Sequence, residues 1–81
     1  MPSIYEAEVG AQIRTHRMHQ NLTQEDLARI LQLHGCDISR GTLAKIEAGT
    51  RHIYLDELRA VKEVLHISFD DLLTCSPLQE L

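Results

Sequence analysis

The sequence lacks most of the features that would place it in the larger functional classes. It contains no apolar run approaching the ~18 residues that a membrane-spanning helix requires. Its first ten residues hold neither a basic segment nor an apolar one, so no secretory signal is expected and the cytoplasm is the expected compartment. Only two cysteines occur, Cys36 and Cys75, and without a leader both read as reduced thiols instead of a bridge. G-x-S-x-G, a phosphate-cradling glycine loop and H-E-x-x-H are all missing, and the Asp70-Asp71 pair falls where helix-start residues belong, so no enzyme is expected. Fixed-period repeats, low-complexity runs, linkers and strand-like alternation are missing as well.

What remains is ordinary globular material: 81 residues, 43% hydrophobic and 25% charged. That is one domain, with a folded part expected over about residues 5–74 and a tail over residues 75–81 that contains Pro77. The net charge of −4 argues at first against nucleic acid, because DNA affinity comes largely from neutralising phosphates. Its distribution reverses the argument. Residues 13–51 carry six cations and four carboxylates, whereas residues 52–81 carry two cations and six carboxylates, so the middle of the chain is free to face phosphates.

Three helix starts share one local pattern. At Leu22-Thr23-Gln24-Glu25-Asp26-Leu27, Thr23 can cap the free backbone N–H groups, Asp26 can reach back, and Leu22 can staple onto Leu27. Ile67-Ser68-Phe69-Asp70-Asp71-Leu72 repeats this arrangement. Ile38-Ser39-Arg40-Gly41-Thr42-Leu43 keeps the cap and the staple without the acid, and its helix should end at Gly49, which adopts a left-handed conformation without penalty. Upstream, Tyr5, Val9, Ile13 and Arg17 form one stripe of a first helix ending near Gln20. The second helix should bury Leu27, Ala28, Ile30, Leu31 and His34 before Gly35 stops it. A fourth, near residues 55–65, places Leu58, Val61, Val64 and Leu65 at core spacing. The expected fold class is therefore all-α, a compact bundle of about five helices.

The second and third helices, joined by Gly35-Cys36-Asp37-Ile38, form a candidate helix-turn-helix. If Leu43, Ile46 and Glu47 of the third helix face inward, then Arg40, Gly41, Ala44, Lys45 and Ala48 face outward, a stripe of small residues with two cations. Such a face can approach a groove closely while its cations reach base edges or phosphates. Periodicity alone equally allows another helix to cover the small residues.

Taken together, Ile13-Arg14-x-x-Arg17, Leu22-Thr23-Gln24-Glu25-Asp26-Leu27-Ala28, the run from Ile38 to Gly49, and the closing segment Leu65-His66-Ile67-Ser68-Phe69-Asp70-Asp71-Leu72-Leu73 resemble the lambda-repressor-like helix-turn-helix family of bacterial and phage regulators. The resemblance spans about Val9 to Leu73. It implies a phosphate contact for Gln24 beside Thr23 at the start of the second helix, and DNA contacts for Ser39, Arg40, Gly41, Thr42 and Lys45. It also implies a grip on the DNA backbone by Arg51 and His52. Arg17 and Glu47 match a pair that forms a structural salt bridge in the family, which accounts for a cation on an apolar stripe. A cytoplasmic transcriptional regulator is implied, a repressor binding double-stranded DNA as a homodimer on a palindromic operator, with residues 40–48 in the major groove. The sequence departs from the family pattern in a longer segment Leu31–Asp37, in Gly41 where a side chain often reads a base, in Tyr54 where a small cap is common, and in His66 where glycine usually ends the fourth helix.

Two other readings compete. His16-x-x-His19 and His34-x-Cys36 do not supply four ligands at zinc spacing, so neither a metal nor another cofactor is expected. The acidic C-terminal part and the apolar Tyr5, Tyr54, Phe69, Leu78 and Leu81 suggest an interaction module instead, such as an antitoxin or adaptor that binds a protein partner. Read as ordinary core, those apolar residues carry no such meaning.

Overall fold

The computed structural model describes residues 4–73. Five helices follow one another: α1 (Ile4–His19), α2 (Gln24–Leu33), α3 (Arg40–Ala48), α4 (Leu55–Leu65) and α5 (Phe69–Leu73). No strand occurs among the described residues. Cys75, Leu78, Leu81 and the remainder of the tail lie outside them.

Each start follows from local chemistry. Thr23 Oγ1 accepts from the Asp26 backbone N–H at 3.0 Å while the Asp26 carboxylate accepts from the Thr23 N–H at 3.0 Å. Ser68 and Asp71 repeat the exchange at 3.1 and 3.0 Å. These backbone donors hold both aspartate carboxyls below their usual value of 3.8. Ser39 accepts from Thr42 N at 3.1 Å, as its place before α3 requires. At α4, where Tyr54 supplies no side-chain cap, Glu57 accepts from the Tyr54 N–H at 3.0 Å and so satisfies one free donor.

The ends of α3 and α4 are set by left-handed residues. Gly49 closes α3 at φ 78°, the region open to glycine. His66 closes α4 in the same region, at φ 58° and ψ 45°, so the backbone keeps the glycine geometry although the residue has changed.

The core is one cluster in which Ile13, Leu27, Leu31, Ile38, Leu43, Ile46, Val61, Leu65 and Leu72 are each less than 2% exposed or close to it. α1 packs across α3 and α5, and α2 packs on α3 and α4. The α1–α3 crossing is close because of Gly10: a Cβ there would clash with the backbone carbonyl oxygen of Ile46 and lie 3.2 Å from Glu47 Cα.

Several expectations are corrected. Tyr5 is 57% exposed despite its place on the stripe, because Ala7 already lies against Gly49, where α3 ends, and Tyr5 is two residues farther out. Ile30 is only half-buried, and His34 is exposed and paired with Glu63 at 2.8 Å. Tyr54 and Phe69 are not core either: the Arg51 guanidinium lies 5.1 Å from the centre of the Tyr54 ring, and Lys62 Nζ 5.4 Å from that of Phe69. Of the longer segment after Leu31, Gln32 and Leu33 continue α2 and the remainder, from His34 on, forms the turn. There Cys36 N donates to Leu31 O at 2.8 Å, Gln32 Nε2 donates to Ile38 O at 3.0 Å, and buried Ile38 anchors the exit.

Two substitutions test this account by thermal unfolding. His66→Gly should stabilise the fold by roughly 1 kcal/mol, the relief of a left-handed non-glycine less the added flexibility of the unfolded chain; an unchanged or lower melting temperature would refute the strain. Gly10→Ala should destabilise it by about 1–3 kcal/mol, because the overlap is with backbone that cannot rotate away. A stabilised Gly10→Ala protein, the result that helix propensity alone favours, would show that α1 and α3 are not held this close.

Candidate nucleic-acid interface

α3 is short, and its two faces differ in kind. Leu43, Ile46 and Glu47 are buried, while Arg40, Gly41, Lys45 and Ala48 are exposed and Thr42 and Ala44 are half-buried. Among the described residues no helix covers the outer stripe. A Cβ on Gly41 would meet only Ser39 Oγ, at 3.9 Å, so the small residue there is not required by packing within the chain. Ser39 and Thr42 share a hydroxyl hydrogen bond of 3.1 Å besides the cap, which fixes the first turn of α3.

Beneath this face lies the buried ion pair. Arg17 Nε donates to Glu47 Oε2 at 2.8 Å and Nη2 donates to Oε1 at 3.0 Å, with Arg17 and Glu47 each 8% exposed. The remaining guanidinium nitrogen, Nη1, donates to Leu22 O at 2.7 Å. Gln24 Nε2 adds a third donor to the carboxylate, at 3.1 Å from Oε1. No buried side-chain polar atom among the described residues lacks a partner, so the charges are desolvated but fully hydrogen-bonded.

The other anticipated contact residues divide into two groups. Gln24 and the exposed side of α3 come together, for Gln24, Ala44 and Ala48 line a common depression, while Thr23 lies beside Gln24 in a neighbouring one that includes no residue of α3. Arg51 and His52 do not stand free. Arg51 is held by Glu57 in a two-pronged pair of 2.6 and 3.2 Å and donates to the His52 carbonyl at 2.8 Å, and His52 Nδ1 lies 2.9 Å from Glu6. Sequence reasoning missed two cations beside the face. Arg14 lines the cleft with Ala44 and Ala48, and Arg29 lines a second depression with Ser39 and Arg40. The available signal was local: positions 10, 11, 17 and 18, the helical neighbours of Arg14, hold no carboxylate.

Carboxylates gather elsewhere. Asp37, Asp56, Glu57 and Glu63 line a groove between the α2–α3 turn and α4, together with His34, Cys36 and Arg59. Cys36 is a free thiol, and partial burial, aided by Glu57, Asp56 and Asp37, pushes it above the usual 9.0, which disfavours the reactive thiolate. Among the described residues, no cluster of three or more histidine, cysteine or acidic side chains could hold a metal, and no helix is long and apolar enough to cross a membrane.

A model of the helix-turn-helix family matches residues 13–72, which includes every element of this face. The chain belongs to the lambda-repressor-like helix-turn-helix family. No curated protein matches it. Among solved structures it is similar to the clp gene regulator ClgR from Corynebacterium glutamicum, at 25% identity over 90% of this chain and 72% of that one, with a TM-score of 0.77. The restriction-modification controller protein C.AhdI from Aeromonas hydrophila shares the fold at 24% identity, over 82% of this chain and 88% of that one, with a TM-score of 0.71. So does the controller protein C.Esp1396I, solved as a tetramer in complex with its natural 35 base-pair operator, at 22% identity over 89% and 99% of the two chains and a TM-score of 0.71.

Within this family frame the ion pair has a definite energetic consequence. Glu47→Ala leaves the Arg17 guanidinium buried without its counter-charge and should cost about 3–5 kcal/mol, a fall in melting temperature on the order of 12–40 °C for a domain this small. A melting temperature unchanged within error would exclude the pair as a structural element.

Proposed function

We propose that this protein is a sequence-specific regulator of transcription that binds duplex DNA by placing α3 in the major groove. The observation that carries the reading is the uncovered outer side of α3, where Gly41, Ala44 and Ala48 allow close approach and Arg40 and Lys45 provide donors for guanine edges or phosphates. Thr23 and Gln24, at the positive end of α2, meet the backbone at the rim of the same groove. Ser39 and Thr42 set the pitch of the first turn. Membership of a family of DNA-binding regulators, and a fold shared with ClgR and with the operator-bound controller C.Esp1396I, support the same reading. In its finer form the proposal is a cytoplasmic repressor acting as a homodimer on a palindromic operator, with the two α3 helices about 34 Å apart.

The loop contacts take a modified form. Arg51 and His52 reach phosphates only by exchanging Glu57 and Glu6 for DNA, so their share of the affinity is smaller than that of Arg40 and Lys45. The protein-binding alternative draws on the exposed Tyr54 and Leu55 and on the carboxylate-lined groove beside α4. It differs in its response to salt.

The test is selection of bound sites from random duplex DNA, followed by a salt titration on the selected site. The logarithm of the affinity should fall linearly with log salt, by about 0.9 for each phosphate contacted. Arg40→Ala or Lys45→Ala should cost roughly 1–3 kcal/mol on the selected site and less on unrelated duplex if the side chain reads a base. No enriched site, with salt-insensitive capture of a protein partner, would overturn the proposal in favour of the interaction module.

A further inference from the structure

The cleft between α1 and α3 contains a cation that neither the fold nor the α3 face explains. Arg14 is exposed and takes part in none of the ion pairs formed among the described residues. Its nearest charged neighbour on α1 is Arg17, three residues on, and like charges at that spacing destabilise a helix. Folding alone therefore gives no reason for a cation at this position.

The surroundings provide one. Arg14 lines the cleft with Gln24, Ala44 and Ala48, over a floor made by the buried Arg17 and Glu47. Ala44 and Ala48 present only methyl groups, which leaves room for a long side chain to extend along the flank of α3. The floor carries no net charge, because the Glu47 carboxylate is matched by Arg17. Arg14 therefore leaves the mouth of the cleft with a net charge of +1 and five N–H donors. Gln24 points one amide hydrogen at Glu47 and retains the other.

We infer that Arg14 is a further DNA-contacting residue, which binds a backbone phosphate at the mouth of the α1–α3 cleft. The inference rests on the proposed placement of α3 in the major groove. It assigns a phosphate and not a base because Arg14 belongs to α1 and lies beside α3, not on its outer stripe, where the wall of an occupied groove is the sugar–phosphate strand. A guanidinium suits a phosphate by pairing two parallel N–H groups with two of its oxygens.

The experiment compares wild type, Arg14→Ala and Arg14→Lys on the selected duplex and on an unrelated duplex, across a salt series, with a melting curve for each protein. Arg14→Ala should weaken binding roughly ten-fold at low salt, the loss of about one charged hydrogen-bonded contact. The loss should be equal on both duplexes, and the salt slope should become shallower by about 0.9. The melting temperature should stay the same or rise, since alanine removes a like-charge neighbour from Arg17 and is the stronger helix former. Arg14→Lys should restore the slope and only part of the affinity. Wild-type binding with an Arg14→Ala protein indistinguishable from it would overturn the assignment and leave the α3 reading intact. A loss confined to the selected duplex would overturn it in favour of a base contact. A wild-type protein that binds neither duplex in a salt-dependent way would reject the α3 reading, and the Arg14 assignment with it.

Discussion

One buried carboxylate joins the parts of this fold that must keep a fixed relation to one another. Glu47 accepts two hydrogen bonds from Arg17 on α1 and one from Gln24 at the start of α2, and it projects from α3 itself. Arg17 meanwhile holds the Leu22 carbonyl in the connection between α1 and α2. An apolar pair of the same volume would stabilise the core at least as well, since burying an ion pair carries a large desolvation cost. What an apolar pair lacks is direction. Two guanidinium–carboxylate bonds and a third amide bond fix the rotation of α3 relative to α1 and α2, and that rotation decides which residues of α3 face outward.

The close approach of α1 and α3 serves the same end from the backbone side. Gly10 allows the Ile46 carbonyl to lie where a side chain would otherwise be, and Ala7 rests against Gly49 at the end of α3. Small residues therefore occur on both sides of the α3 region for different reasons. Gly10 is small because another helix fills the space, whereas Gly41 is small with open space beside it. Only the second kind of position is available to a partner.

Much of this was legible in the sequence, and the limits of legibility are physical. Thr23, Ser39 and Ser68 were readable as caps because capping depends on residues within one turn of each other. The ends at Gly49 and the core positions Ile13, Leu27, Leu43, Ile46 and Leu65 follow from helical periodicity. Periodicity also assigned Tyr5 to the core, and failed there because burial requires a neighbour, and α1 runs past the end of α3 before reaching Tyr5. His34 and the aromatic rings of Tyr54 and Phe69 failed for a related reason: each has a charged partner, namely Glu63, Arg51 and Lys62, contributed from another turn or element. The stop near Gly35 was readable from that residue, but the path of the longer turn was not, because the hydrogen bonds from Cys36 and Gln32 that shape it join positions on either side of Gly35. The outward stripe of α3 could be read from spacing, but whether anything covered it could not.

The arrangement of ion pairs resolves the apparent conflict between a net charge of −4 and a polyanionic partner. Most paired cations lie away from the α3 stripe, with Glu57 matched to Arg51, Glu63 to Arg59 and His34, and Glu6 to His52, while beside the stripe Asp26 is matched to Arg29. Arg14, Arg40 and Lys45 enter no such pair among the described residues. Coulomb interactions between exposed groups fade over a screening length of about 8–10 Å at physiological salt, so a phosphate at the α3 face responds to its nearest cations far more than to the acids beside α4. Carboxylates already paired with cations of their own add little to the potential at the unpaired cations of that stripe. The local pairing of charges, more than the sign of the net charge, therefore sets the potential at the outer side of α3.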